Sequence, residues 1–273
     1  MKVDLHIHSF YSDGTLSPRE IVDEAIKNQV GYMSLTDHNQ STGCKEMMEL
    51  AQEAGITCIP GAEVDTLEQG VNYHVLAYGY DLDDIKFKKY LNDVKRKLDE
   101  VSEKLIIKME KDYSEVSLKE FNKYTYDPKL GGWKALHYFV DKGLASDISE
   151  SFGYYFKYNH TYESVDFPPI NEVCTEIHHA GGKAILAHPG KVIKTDDLAM
   201  FEKQLRQIID SNDLDGIECY YPSHSEEITQ ICLSICNEKD LMITCGNDCH
   251  GSFEKTTIGQ LDITMDKLKG IDK

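Results

Sequence analysis

Residues 1–17 read MKVDLHIHSFYSDGTLS: two histidines two positions apart at the end of an apolar strand, then Asp13 in a Ser/Gly-rich turn. VDLHIH has the make-up of a strand, and side chains two apart on a strand point the same way, so His6 and His8 share one side. The next stretch, SPREIVDEAIKNQVG, is a helix. Ser17 caps it, Pro18 takes the first helical position, Glu20 completes a capping box and Gly31 stops it. Its apolar stripe is Ile21, Val22, Ala25 and Ile26. A strand with polar side chains at its C-terminal end, followed by a capped helix, is the repeating unit of a parallel α/β sheet.

Working outward, the unit recurs. YMSLTDH reads as a strand, KEMMELAQEAG as a helix and ITCIPGAEVDT as a strand. NYHVLAYGY is a further strand, paired with its predecessor through the EQG turn. The pattern then breaks. From about residue 84 to 110 runs a long, lysine-rich amphipathic helix whose charges read as a solvated face. Irregular segments rich in Tyr, Lys, Asp and Phe continue to Pro169. Alternation then resumes with GKAILAHPG, DDLAMFEKQLRQIIDSN, DGIECYYP, SEEITQICLSICNEKD and LMITCGNDCHG. The expected organisation is an α/β sheet of residues 1–82 and 170–273, open or closed into a barrel, interrupted by a helical insertion over 83–169.

Composition narrows the function. The 273 residues carry a formal net charge of −18 and are 41% hydrophobic. Such a surface repels duplex nucleic acid but leaves small phosphorylated ligands and short oligonucleotides open, above all where bound cations offset the charge. The eight cysteines are scattered, mostly inside apolar runs, with no C-x-x-C, and read as reduced core thiols. The start shows no basic and apolar leader, and no apolar run approaches the ~20 residues of a membrane span. The expectation is a cytoplasmic protein with no membrane partner.

The polar residues at the strand ends carry the chemistry. They are His6 and His8, Asp37 and His38, Glu63, His74, His188, and Asp248 and His250. In parallel barrels the functional face is built from those ends and the loops after them. Spacing by two lets His6 and His8 grip one ion, and Asp248 and His250 likewise. Imidazole with carboxylate suits divalent Zn, Mn or Fe. At about three to five ligands per ion the set fits two or three ions, with Glu63 as a bridge. A lone strand histidine such as His74 is more often a hydrogen-bonded core residue, and only the whole set argues for metal. His178 and His179 belong to a helix C-terminus, His160 to a polar loop, and Cys249 faces away from Asp248 and His250.

These motifs, in order DLHIHSFYSDGTLSP, SLTDHN, PGAEV, HVLAYG, LAHPG and GNDCHG, resemble those of the PHP (polymerase and histidinol phosphatase) family. They are most similar to its stand-alone phosphoesterases, among them nucleoside bisphosphate phosphatases and exoribonucleases acting on short RNA. The resemblance implies a distorted (β/α)7 TIM-like barrel, with the insertion covering a trinuclear site. It implies one metal on His6, His8, Glu63 and Asp248, a second on Glu63, His74 and His188, and a third on Asp13, His38 and His250. Asp248, His250 and His38 would be the catalytic members.

The chain also departs from the family pattern. The usual GSDxHG reads GNDCHG, and the RPHIA-like segment of the insertion is replaced by GGWKALHYFV. There Lys134 stands for the Arg and His137 keeps the His, while Lys191 replaces the Arg after AHPG. Lysine lacks the bidentate fork of arginine, so the substrate can differ from those of the nucleotide enzymes. Lys134, His137 and Lys191 are expected to orient the phosphate, with His224 of the YPSHSEE loop as a further contact. The implied reaction is hydrolysis of a phosphate ester by a hydroxide held between metals. The rivals are an exonuclease acting on short oligonucleotides, an amidohydrolase-type C–N hydrolase, for which no carboxylated lysine pattern is found, and a non-catalytic metal-binding module.

Overall fold

A computed structural model describes residues 1–271. Seven strands form one sheet in sequence order: β1 (Lys2–Ile7), β2 (Val30–Leu35), β3 (Thr57–Glu68), β4 (Val71–Tyr78), β5 (Lys183–Leu186), β6 (Gly216–Tyr220) and β7 (Met242–Cys245). Parallel bridging between Ile7 and Cys249, with the His8 amide donating to the Cys249 carbonyl at 2.9 Å, closes the sheet into a distorted barrel. Helices α1 (Pro18–Lys27) and α2 (Cys44–Glu53) cover its first half. The expected capping box of α1 is present: the Glu20 amide donates to Ser17 Oγ, and the Ser17 amide to the Glu20 carboxylate at 2.7 Å. No described helix is long and apolar enough to cross a membrane, and all eight cysteines are free thiols.

One strand runs against the expected pattern. β4 pairs antiparallel with both β3 and β5. The reason is local, because the turn at Gln69 and Gly70, both at positive φ, makes a hairpin where a helix would otherwise allow a parallel return. His74 therefore lies in the first half of its strand, not at the C-terminal end expected for it. Reversal of the strand is what brings it to the face where the other strands end. The end of β4 is correspondingly at the opposite face, since Tyr78 pairs with Lys183, the first residue of β5.

The segment between β4 and β5 holds α3 (Ile85–Met109), α4 (Leu118–Phe121), α5 (Lys134–Asp141), α6 (Ile148–Lys157) and α7 (Ile170–His179). At 25 residues, α3 is about 37 Å long and can run the height of the barrel. Its first part (Phe87, Leu91, Val94, Val101) packs into the barrel core with Ile170, Val173 and Ile177 of α7. Its last part (Leu105, Ile106, Met109) joins Val116, Phe121, Ala135, Tyr138 and Phe139 in a separate apolar cluster that belongs to the cap. Both legs meet at the far face, where the Asp81 amide donates to the Ala180 carbonyl at 2.9 Å. After β5 come α8 (Pro189–Val192), α9 (Leu198–Ser211) and α10 (Glu226–Lys239), which cover the second half of the barrel.

Candidate metal centre

The strand ends place their polar side chains in one buried cluster. His6 Nε2 and His8 Nε2 are 3.1 Å apart, and each is 3.2 Å from Glu63 Oε2. Asp248 Oδ1 closes this group at 3.4 Å from His6 and 3.2 Å from His8. The other Glu63 oxygen, Oε1, faces His74 Nδ1 at 2.7 Å and His188 Nε2 at 2.9 Å. Asp13 Oδ2 faces His250 Nε2 at 3.3 Å and His38 Nε2 at 3.8 Å, while Asp13 Oδ1 lies 3.5 Å from His8 Nδ1. Ligand atoms in each of these groups lie within 4.8 Å of one another. His8 belongs by distance to two of them. All nine sequence-derived ligands thus converge, and Glu63 joins the groups.

Two of these ligands sit in backbone conformations that L-residues seldom adopt: His188 has φ 25° and Asp248 φ 53°. Asp248 and His250 follow the end of β7 in a loop, so they converge through this turn and not through strand alternation. The expectation that Cys249 points away holds. It packs with Ile7 and Ile258 in the apolar cluster between the barrel and α1 and α2.

The donor set fits divalent ions. Four buried polar atoms in the cluster, His8 Nδ1, Asp13 Oδ1, His38 Nδ1 and His188 Nδ1, have no hydrogen-bond partner, which is costly unless something else satisfies the group. Charge argues the same way. Burial disfavours an ionised Glu63, but His74, His6 and His38 outweigh it and hold the carboxyl well below its usual range. Asp248 and Asp13 are held low against burial by their histidine neighbours too. Burial likewise disfavours a charged His8 and His74, yet the facing carboxylates push both up to about 10. For His38 and His188 burial prevails, and both are shifted down toward neutral imidazoles able to ligate. A pit of anions whose charge is balanced by histidine protons and a single lysine at its edge is one that divalent cations would occupy in place of those protons.

Residues outside this set hydrogen-bond to it or to the turns that carry it, and sequence reading missed most of them. Glu218 on β6 accepts from His6 Nδ1 at 3.0 Å and from the His188 amide at 2.8 Å. Asp65 lies 3.2 Å from His74 Nε2 and accepts from Asn39 Nδ2 at 2.5 Å. Tyr221 donates its hydroxyl to Asp248 Oδ2 at 2.8 Å. Asp37 accepts from Ser9 and Ser12 of the opening turn and fixes its path. Asp4 binds the Asn247 amide and side chain and the Gly259 amide. Burial pushes its carboxyl up to about 6 against those donors. The signal for Asp65 was its position two after Glu63, on the same face; for Glu218 it was a lone acid in an apolar strand.

The expected phosphate contacts divide. Lys191 reaches the cluster, with Nζ 2.7 Å from Asp248 Oδ2, and this carboxylate holds its pKa above the usual lysine value despite burial. His224 spends both ring nitrogens inside the fold: Nδ1 donates to the Cys219 carbonyl and Nε2 accepts from the Gly190 amide, each at 3.0 Å. His137 donates to the Gly131 carbonyl at 2.7 Å and stacks on Tyr126. Lys134 Nζ lies over the Phe121 ring, 4.5 Å from its centroid. The insertion still meets the site, because the Gly132 amide donates to the Asp13 carbonyl at 2.7 Å and the Tyr126 hydroxyl donates to the Gly132 carbonyl at 2.9 Å.

Fold and centre together define a metal-dependent hydrolase of phosphoric esters on a distorted α/β barrel. The chain belongs to the PHP domain family, whose model matches residues 4–236. It is 26% identical over 191 residues to the 5'-3' exoribonuclease Rnm of Escherichia coli, covering 69% of this chain and 65% of that protein. It is also 26% identical over 191 residues to the 3',5'-nucleoside bisphosphate phosphatase of Chromobacterium violaceum, covering 69% and 67%. The chain therefore aligns with about two thirds of the length of each. A structure from Bifidobacterium adolescentis, described as a metal-dependent phosphoesterase, shares the fold with a TM-score of 0.78 at 23% identity, covering 97% of this chain and 93% of that one.

Proposed function

We propose that the protein hydrolyses a small phosphate ester, a nucleotide or related phosphomonoester, at a centre of two to three divalent ions (Mn, Fe or Zn). The observation that carries this reading is Glu63. One oxygen faces His74 and His188 and the other faces His6, His8 and His38, so a single buried carboxylate joins the donor groups. His6, His8, Glu63 and Asp248 would hold one ion, Glu63, His74 and His188 another, and Asp13, His38 and His250 a third. When bound, such ions lower the pKa of water and offset charge on phosphoryl oxygens.

The chain's own residues do the rest. Asp248, held ionised by His6, His8 and His250, and His38 and His250, which face Asp13, would be the catalytic members. Lys191, at the rim, holds an anion already and is the cation best placed to take a phosphate oxygen. Lys134 and His137 of the insertion are assigned to the same phosphate, Lys134 by leaving the Phe121 ring. The geometry favours His224 as a support for the Gly190 turn more than as the substrate contact first expected. The net charge of −18 supports small substrates over duplex nucleic acid. Likeness to an exoribonuclease makes a short oligonucleotide the second reading. Composition supports a cytoplasmic location.

The test is phosphate release from a panel of nucleoside mono- and bisphosphates, sugar phosphates, histidinol phosphate and short RNA, with added Mn and metal content verified. Chelator-sensitive release from a monoester is the expected outcome. Cleavage of RNA alone favours the second reading, and no release from any of them overturns both.

A further inference from the structure

We propose that Glu218 is the positioning residue of the centre: its two carboxylate oxygens fix His6 with Nε2 facing inward and tie down the backbone of His188, so that two strands present their ligands in one geometry. This rests on the metal-centre reading above but not on the identity of the substrate.

The case is built on shape and hydrogen bonding. Glu218 is wholly buried and points from β6 into the space between β1 and the turn after β5. Oε1 lies 3.0 Å from His6 Nδ1, and Oε2 accepts from the His188 amide at 2.8 Å. His6 therefore carries a proton on Nδ1 and offers Nε2 to Glu63, His8 and Asp248. A carboxylate behind a ligating histidine fixes tautomer and ring angle and raises the basicity of the ligand. The neighbouring chain is shaped for the pair. A Cβ on Gly246 would lie 2.1 Å from His6 Cβ and 2.5 Å from Glu218 Oε1, so only glycine leaves room for them to meet. His188, whose own backbone is in the left-handed region, is held there by the second oxygen.

Glutamine cannot replace this group. Glu218 must accept twice, from an imidazole N–H and from an amide N–H, whereas a glutamine offers one acceptor and one donor. Either His6 gives up its proton from Nδ1 and loses Nε2 as a ligand, or the His188 amide faces an N–H.

The experiment measures Zn binding to full-length Glu218→Gln and to the parent protein by equilibrium dialysis, with thermal unfolding of both metal-free forms. The expected result is a ~10- to 100-fold loss of Zn affinity at a metal-free unfolding temperature that moves little. Unchanged affinity overturns the proposal, as does loss of metal-free stability without loss of affinity. Should the variant not fold, ¹⁵N imidazole spectra of the Zn-loaded parent decide instead. A proton on His6 Nδ1 supports the proposal and ligation through Nδ1 overturns it. A parent that takes up no Zn overturns both this proposal and the metal-centre reading. Zn binding lost in the variant without turnover of any phosphate ester by the parent leaves Glu218 in place and removes only the phosphoesterase reading.

Discussion

At the scale of single residues, Asp248 combines three demands. It faces His6 and His8 with one oxygen, takes Lys191 and Tyr221 on the other, and does so at φ 53°. Asparagine, like aspartate, tolerates that backbone better than most side chains, so Asp248→Asn isolates the charge from the conformation. We expect it to lower turnover by about 10³-fold or more, as removal of groups acting on the transition state does, with circular dichroism unchanged. His250→Ala should behave alike, and near-normal hydrolysis by both variants with metal verified would refute the site. Lys191→Met tests the rim. If Lys191 takes a phosphate oxygen, kcat/KM on the identified ester falls ~10- to 100-fold, about 1.4–2.7 kcal/mol, and metal content stays the same. Lys134→Ala should fall within the same range, the lysine leaving the Phe121 ring for the phosphate, and parent-like kinetics would remove Lys134 from the substrate site. Eight of the nine clustered residues were legible because their spacing and their places in or after apolar runs are properties of the chain, while Asp13 came in only with the family resemblance. Glu218 and Tyr221 were not, since each acts only through partners about thirty residues or more away.

At the scale of elements, the strap Gly131–Gly132 ties the cap to the Asp13 turn. Its carbonyls are held by His137 and Tyr126, and a Cβ on Gly132, at φ 67°, would lie 2.7 Å from the Phe253 ring. Gly132→Ala should cost about 1–3 kcal/mol locally. Hydrogen exchange is expected to rise in α5 and α6 while barrel strands keep their protection. The loop after α6 is pinned by His160, which accepts from Lys108 through Nδ1 at 3.0 Å and donates to the Val101 carbonyl at 2.7 Å. Burial, with Lys108 and Lys104 nearby, lowers its pKa below 6.5; the Ser164 hydroxyl and the Tyr155 ring also face it. A depressed histidine pKa gives stability that is present above 6.5 and lost as pH falls through the folded value. Urea midpoints at pH 5 and pH 7.5 should therefore differ more for the parent than for His160→Gln. The hairpin turn was readable from EQG, but the direction of β4 relative to β5 was not. Helical alternation resumes beyond the cap as though nothing had reversed.

At the scale of the whole molecule, the centre should act as a clasp. It draws its residues from β1, β3, β4 and the turns after β1, β2, β5 and β7, so metal should bind the folded chain far better than the unfolded one. With free metal at 100 times its Kd, one site adds about 2.7 kcal/mol, or about 5–10 °C in Tm for a chain of this size. Calorimetry with Mn and with chelator should show this gap, and an equal Tm in both would count against the clasp. Barrel class was visible in the sequence because strand–helix alternation runs through both ends of the chain, whereas the route of α3 along the barrel depends on the reversed β4. That route has a further consequence for how such a chain can change over generations. Asp81 and Ala180 touch, so a stretch of about a hundred residues begins and ends at one point on the floor while its tip rests on the catalytic rim. Material can be added to or trimmed from that tip without rethreading a single strand. The barrel can keep its strand order while the inserted part is rewritten.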